Sequence, residues 1–162
     1  MTDERMKLVE SVLSTIENED IKEFAIVLLD NLPEYIWVVP ASSTGKYHPA
    51  YSLGDGGLMR HQMAVVRFLN FFFELEQYKN RFTSRQRDLL RLAALTHDGR
   101  KSGSQEDYEK SKYTKFEHPL LMAKVYLSYK DKGFLPEEEL KYIAVAITKH
   151  MGQWNTDKRS QL

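Results

Sequence analysis

The sequence predicts an all-helical fold, on three observations. Apolar residues recur at three- and four-residue spacing along several segments, none alternates with strand period for long enough to found a sheet, and the breaks between segments carry Pro, Gly, Ser and Asn. The expected architecture is a compact helical bundle of about six helices. A length of 162 residues with no Pro/Gly/Ser-rich linker reads as a single domain over 1–162.

Met6, Leu8, Val9, Val12, Leu13 and Ile16 predict a first helix over 5–16. A second amphipathic segment over 21–32, with Asp20 as expected N-cap, stops at Pro33, because proline disfavours helical geometry in the residue before it. The stretch 34–50 mixes an apolar patch with Pro, Ser and Gly and reads as an ordered loop with at most a short turn, its aromatics sealing a core edge. After the GDGG turn signal, 58–75 is apolar around most of its girth, which predicts a helix at the centre of the domain. A fourth helix starts at Ser84, buries Leu89, Leu90, Leu92 and Ala93 to Leu95, and ends at His97-Asp98. The polar run 99–116 is aperiodic and longer than an ordinary connection, which makes it a candidate functional loop. His118-Pro119 opens a fifth helix that ends before Gly133, and Pro136 opens a sixth with His150 in its last turn.

Composition narrows the chemistry. Hydrophobic residues make up 42% and aromatics 12%, enough to close a core, while 28% charged residues indicate a well-solvated surface and no membrane partner. Lys and Arg total 23 and Asp and Glu total 23, so no net field draws in nucleic acid, although a local basic patch would be compatible with it. The N-terminal residues carry charges and no apolar run, so the expected location is the cytoplasm. The absence of cysteine excludes disulfides, zinc thiolates and a cysteine nucleophile, leaving His and carboxylates as the strong metal ligands.

The five histidines stand at positions 48, 61, 97, 118 and 150, four of them at or near the first or last turn of a predicted helix. Helix ends converge in a bundle, and His97-Asp98 can turn an imidazole and a hard carboxylate toward one ion, a mixed donor set that suits Mn, Fe, Co, Ni, Zn or Mg. Each histidine also has a plain alternative. His118 reads equally as a turn residue ahead of proline, and His150 as a cation favoured at a helix C-terminus. His48 reads as a ligand, a proton donor or a structural residue, with substrate contact preferred. Arg60, Arg100, Lys101, Lys112 and Lys115 are placed in sequence to meet phosphate oxygens, against solvated surface charge as the competing reading. Tyr108 and Tyr113 are placed to stack on a base, against ordinary packing.

Over about residues 46–155 the chain resembles the HD-domain metal-dependent phosphohydrolases, nearest to their exoribonuclease-associated type. YHPAYSLGDGGLMRHQMAVV is similar to the segment that carries the first ligand, LAALTHDGRKSG to the His-Asp segment, FEHPLLMA to the third and ITKHMGQW to the fourth. The resemblance implies His61, His97, Asp98, His118 and His150 as ligands of one or two divalent ions, with Asp98 bridging two, and Lys101 at the family's lysine position, so that Asp98 and Lys101 are the expected catalytic residues. It departs in having glycine at 99, directly after His-Asp. The family also supplies a last Asp after the fourth His; Asp157, in a polar loop-like tract, is not read as that ligand.

The expected activity is hydrolysis of a small phosphorylated substrate, a nucleotide in the first place, by metal-activated water. A single-strand nuclease is an alternative disfavoured by the neutral charge. A non-catalytic metal- or nucleotide-binding helical module is a third reading, supported by the want of a late Asp ligand.

Overall fold

The computed structural model describes residues 1–46 and 48–152. Among these the chain is all-helical, with seven α-helices and no strand: α1 (Asp3–Leu13), α2 (Glu19–Asn31), α3 (Gly57–Glu74), α4 (Ser84–Thr96), α5 (Gln105–Lys110), α6 (His118–Leu127) and α7 (Glu137–Thr148), with short 3₁₀ turns at Glu34–Trp37 and Ala50–Ser52. No helix among the described residues is long and apolar enough to cross a membrane.

The centre of the fold is α4, not the apolar helix after GDGG. It packs on α2, α3 and α7, and every residue from Arg91 to Thr96 is buried. α3 lies to one side and leaves Phe68 and Phe71 more than 60% exposed. Its aromatics are accommodated at its C-terminal end instead, where Phe72 stacks on Tyr78 at 3.9 Å and Phe73 meets Phe82 edge-on at 5.6 Å. Apolar composition alone does not tell a central helix from one whose second face remains uncovered, because both read as continuous runs.

Two further expectations differ from the structure. Asp20 is not an N-cap: α2 begins at Glu19, Asn18 occupies the cap position, and the Asp20 carboxylate accepts from Arg85 of α4 at 2.8 Å. Arg85 also donates to Glu139 of α7, so one guanidinium ties three helices. The polar run after His-Asp contains the short helix α5. It begins with a capping box in which Ser104 accepts from the Asp107 backbone N–H at 3.1 Å and the Asp107 carboxylate accepts from the Ser104 N–H at 2.9 Å. None of its residues is buried, so it has no apolar stripe for periodicity to detect.

Buried polar groups lock the framework. The hydroxyl of Tyr126 in α6 lies 2.6 Å from that of Thr96, whose oxygen is 2.9 Å from the Leu92 carbonyl. Tyr35, in the 3₁₀ turn at Glu34–Trp37, donates to the Gly103 carbonyl at 2.9 Å and accepts from the Ser102 N–H at 3.0 Å, which holds the turn following Asp98. Burial pushes the Tyr35 hydroxyl up to about 12. Gly99 is required by packing: a Cβ there would sit 2.7 Å from the Leu32 side chain and 3.0 Å from the Thr96 carbonyl oxygen.

Asp88 joins distant parts of the chain. Fully buried, it accepts from the backbone N–H groups of Glu17 and Asn18 at 2.9 and 2.8 Å, from the Asn18 amide at 2.6 Å and from Arg91 at 2.6 Å. Asp88→Ala strands an almost buried guanidinium and two backbone donors. It is expected to destabilise the fold by roughly 3–5 kcal/mol, read as a shift of the urea unfolding midpoint, whereas Lys141→Ala on the exposed face of α7 leaves that midpoint nearly unchanged.

Candidate metal centre

Four helices and one loop meet at Asp98. α4 ends at Thr96 with His97 as its C-cap, and the chain then turns tightly, Gly99 N–H donating to Thr96 at 2.8 Å and Lys101 N–H to Asp98 at 2.9 Å. His61 comes from the second turn of α3, His118 is the first residue of α6, and His150 follows the α7 C-cap Lys149. His48 comes from the loop ahead of the 3₁₀ turn at Ala50–Ser52. The expected ligands His61, His97, Asp98, His118 and His150 are all brought together. His150 lies just beyond its helix rather than within the last turn.

The hydrogen bonds determine which nitrogens face inward. Nδ1 of His97 is 2.8 Å from the Ala94 carbonyl oxygen, Nδ1 of His118 is 2.7 Å from that of Lys115, and Nδ1 of His150 is 2.7 Å from that of Ile147. A carbonyl oxygen only accepts, so in each neutral ring the proton sits on Nδ1 and Nε2 carries a bare lone pair. Those lone pairs converge on Asp98. His118 Nε2 is 2.9 Å and His150 Nε2 3.5 Å from Oδ1, His97 Nε2 is 3.7 Å from Oδ2, and the Nε2 atoms of His118 and His150 are 3.2 Å apart. The buried Asp98 Oδ1 accepts no hydrogen bond. Acceptors at these separations repel unless a cation stands among them, and a backbone tether on the far nitrogen is how ligating histidines are commonly oriented.

His97, Asp98 and His150 present donor atoms within 4.8 Å of one another, as do His48, His61 and Asp98. The donor set is nitrogen and oxygen only, which fits a borderline or hard divalent ion. Asp98 therefore belongs to two candidate ion positions.

Around the carboxylate, burial would by itself raise the Asp98 pKa, but nearby positive charge, the Lys101 ammonium first, holds it well below the usual carboxylate range. Burial pushes His97 down to about 4, against the opposing pull of Asp98, so its ring is neutral near pH 7. His48 and His61 are lowered too, each mainly by burial. Lys101 is itself buried and its Nζ donates to Asp98 Oδ2 at 3.3 Å.

The basic residues expected at phosphate separate. Lys101 and Lys112 line a cleft of about 530 Å³ that opens beside the centre, together with Ser102, Tyr108, Tyr113 and Thr114. Arg100 faces a different hollow with Lys124 and Ser128. Lys115 pairs with Asp107 at 2.9 Å. Arg60 donates to the carbonyls of Tyr51, Leu53 and Asp55 at 2.7–2.8 Å, so it braces the chain ahead of α3 and is not gathered at the centre. Tyr108 stacks on Tyr35 at 4.6 Å, and Tyr113 is 69% exposed. Asp157 lies outside the described residues.

Sequence reading missed Gln62. Fully buried beside His61 on α3, it accepts the Asp98 backbone N–H at 3.2 Å and so positions the carboxylate. A lone amide within an otherwise apolar helical stretch was the available signal.

These shifts give the metal-free protein an acid limit. His97 stays neutral in the fold down to about 4, while in the unfolded chain it takes a proton near 6.5; the unfolded state thus binds more protons, and stability falls as pH drops through that interval. Asp98 acts in the same direction at lower pH, since its folded pKa is depressed. His97 alone is expected to contribute on the order of 3 kcal/mol above pH 6.5 that is lost by about pH 4, and chelator-treated protein unfolded in urea across that range checks it.

Compared with known proteins, the chain matches no family model, no curated protein and no solved structure.

Proposed function

We propose that the chain is a metal-dependent phosphohydrolase of HD type that acts on a small phosphoester, a nucleotide in the first place. The observation that carries this is the set of three imidazoles, each tethered through Nδ1 to a carbonyl, whose Nε2 lone pairs face one buried carboxylate. Among the described residues the Lys101 ammonium is the cation that pairs with this carboxylate, and a divalent cation would offset the remaining acceptors directly. A bound divalent ion supplies Lewis acidity, acidifying water and drawing charge from phosphoryl oxygens.

The chain's own residues supply the rest. Asp98, ionised and fixed by Gln62 and Lys101, is a shared anionic ligand that does not need to be deprotonated on loading. His97, His118 and His150 are oriented before any ion arrives, which removes an ordering cost from binding. Lys101 touches Asp98 and also borders the cleft, so a phosphoryl group entering from the cleft meets its ammonium next to the ion position. The Lys112 ammonium 5.8 Å from the Tyr108 ring centroid and the exposed ring of Tyr113 add positive charge and a stacking face to the same cleft, which suits a ligand with a phosphate at one end and a flat base at the other.

The test is metal content and turnover in the same preparations. Purified protein is expected to retain a divalent metal, and to hydrolyse at least one member of a nucleotide and phosphodiester panel in Mn, Fe, Co, Ni, Zn or Mg. Asp98→Ala loses both metal and activity. Lys101→Met keeps the metal and loses roughly a hundredfold in kcat. Metal retained without turnover on the panel would favour a non-catalytic binding module, and absence of metal after reconstitution would sink the reading.

A further inference from the structure

We infer that His48 is a ligand for a second cation held with His61 and Asp98, and that this position fills only after the one formed by His97, Asp98, His118 and His150. The inference rests on the metal-centre reading above, and it adds a ligand outside the set that the sequence resemblance implies.

The geometry comes from two separate elements. His48 and His61 meet edge-on, their ring centroids 4.7 Å apart at 89°, and both reach Asp98 with donor atoms within 4.8 Å of each other. The His61 ring in turn stands 5.3 Å from that of His97, so the imidazoles continue from one side of the carboxylate to the other. Nδ1 of His48 is buried and has no hydrogen-bond partner among the described residues. A buried ring nitrogen that makes no bond is an unmet demand, and here it accompanies a buried carboxylate oxygen in the same condition.

The order of filling follows from how the two positions are built. Three of the four groups of the first are tethered through Nδ1 to carbonyls three residues earlier, on or beside helices α4, α6 and α7. Neither His48 nor His61 makes such a bond among the described residues, and His48 belongs to the irregular chain between the 3₁₀ turn at Glu34–Trp37 and α3. Binding there has to order an imidazole that the first position already holds in place. Electrostatics acts in the same sense: one carboxylate separates two dications, so the second ion enters against the repulsion of the first. These two effects together are expected to separate the affinities by tenfold or more.

One consequence concerns the loop. The segment that carries His48 is anchored to the remainder through Arg60, which donates to the Tyr51, Leu53 and Asp55 carbonyls, and through the Ala41 N–H, which donates to the Ser52 carbonyl at 2.9 Å. His48 itself lies on the side of that loop turned to the centre. Occupation of the second position would therefore pin His48 and the chain that carries it.

Chelator-treated protein titrated with Mn²⁺ in a calorimeter, with hydrogen exchange followed on the peptide spanning residues 46–53, tests this. Wild type is expected to bind in two steps at least tenfold apart, with exchange in that peptide slowed only in the second. His48→Ala and the more conservative His48→Gln are expected to keep the first step within about twofold and lose the second, with helical circular dichroism unchanged. His150→Ala weakens the first. Two unaltered steps in both His48 variants, a single step in wild type that they leave alone, or loss of the first step in a folded His48 variant would each overturn the inference while leaving the metal-centre reading in place. No Mn²⁺ binding to wild type at all would overturn both.

Discussion

Asp98 is the group on which the arrangement of this protein turns, because a carboxylate buried at the end of the central helix cannot remain ionised unless its surroundings compensate for lost water. The Lys101 ammonium compensates it in part, and other groups converge on the same residue. Lys101 approaches from the turn that follows, Gln62 bonds the backbone N–H from α3, and His118 and His150 arrive from the ends of α6 and α7. To place those groups within 4 Å of one carboxylate, the helices must point their ends inward. The bundle is thus organised around a polar centre at one end of an otherwise apolar core.

The apolar core and the polar centre share their supports. Thr96 immediately precedes His97 and joins α4 to Tyr126 of α6, the helix that begins with His118. Tyr35, within the 3₁₀ turn at Glu34–Trp37, bonds both Ser102 and Gly103, so the chain that follows Lys101 is fixed. Gly99 allows the turn after Asp98 to lie against Leu32, which gives a packing reason for glycine directly after the His-Asp pair. Substitutions in any of these supports act on the centre through orientation, since ligands displaced by a fraction of an ångström bind an ion less well.

Electrostatics and access also fit together. The chain carries no net charge, yet near the centre Lys101, Lys112 and the exposed ring of Tyr113 border one cleft. The Arg60 guanidinium, by contrast, is fully engaged with backbone carbonyls.

The sequence by itself determined the helical class, most helix boundaries and the identity of the histidines, because these depend on local signals: apolar spacing, proline at helix starts, and rare residue types whose positions can be counted. It also placed His97-Asp98 at a helix end, where His97 is indeed the C-cap of α4. Tertiary structure alone decided which apolar helix is central, since burial depends on neighbours and, among the described residues, Phe68 and Phe71 of α3 stay largely exposed. It decided that Gln62 serves Asp98, that Arg60 and Arg100 point away from the cleft beside Lys101, and that His48 stands against His61. Such relations join residues tens of positions apart through side-chain direction and hydrogen bonding, and no local pattern in the chain encodes the direction in which a side chain meets a distant partner.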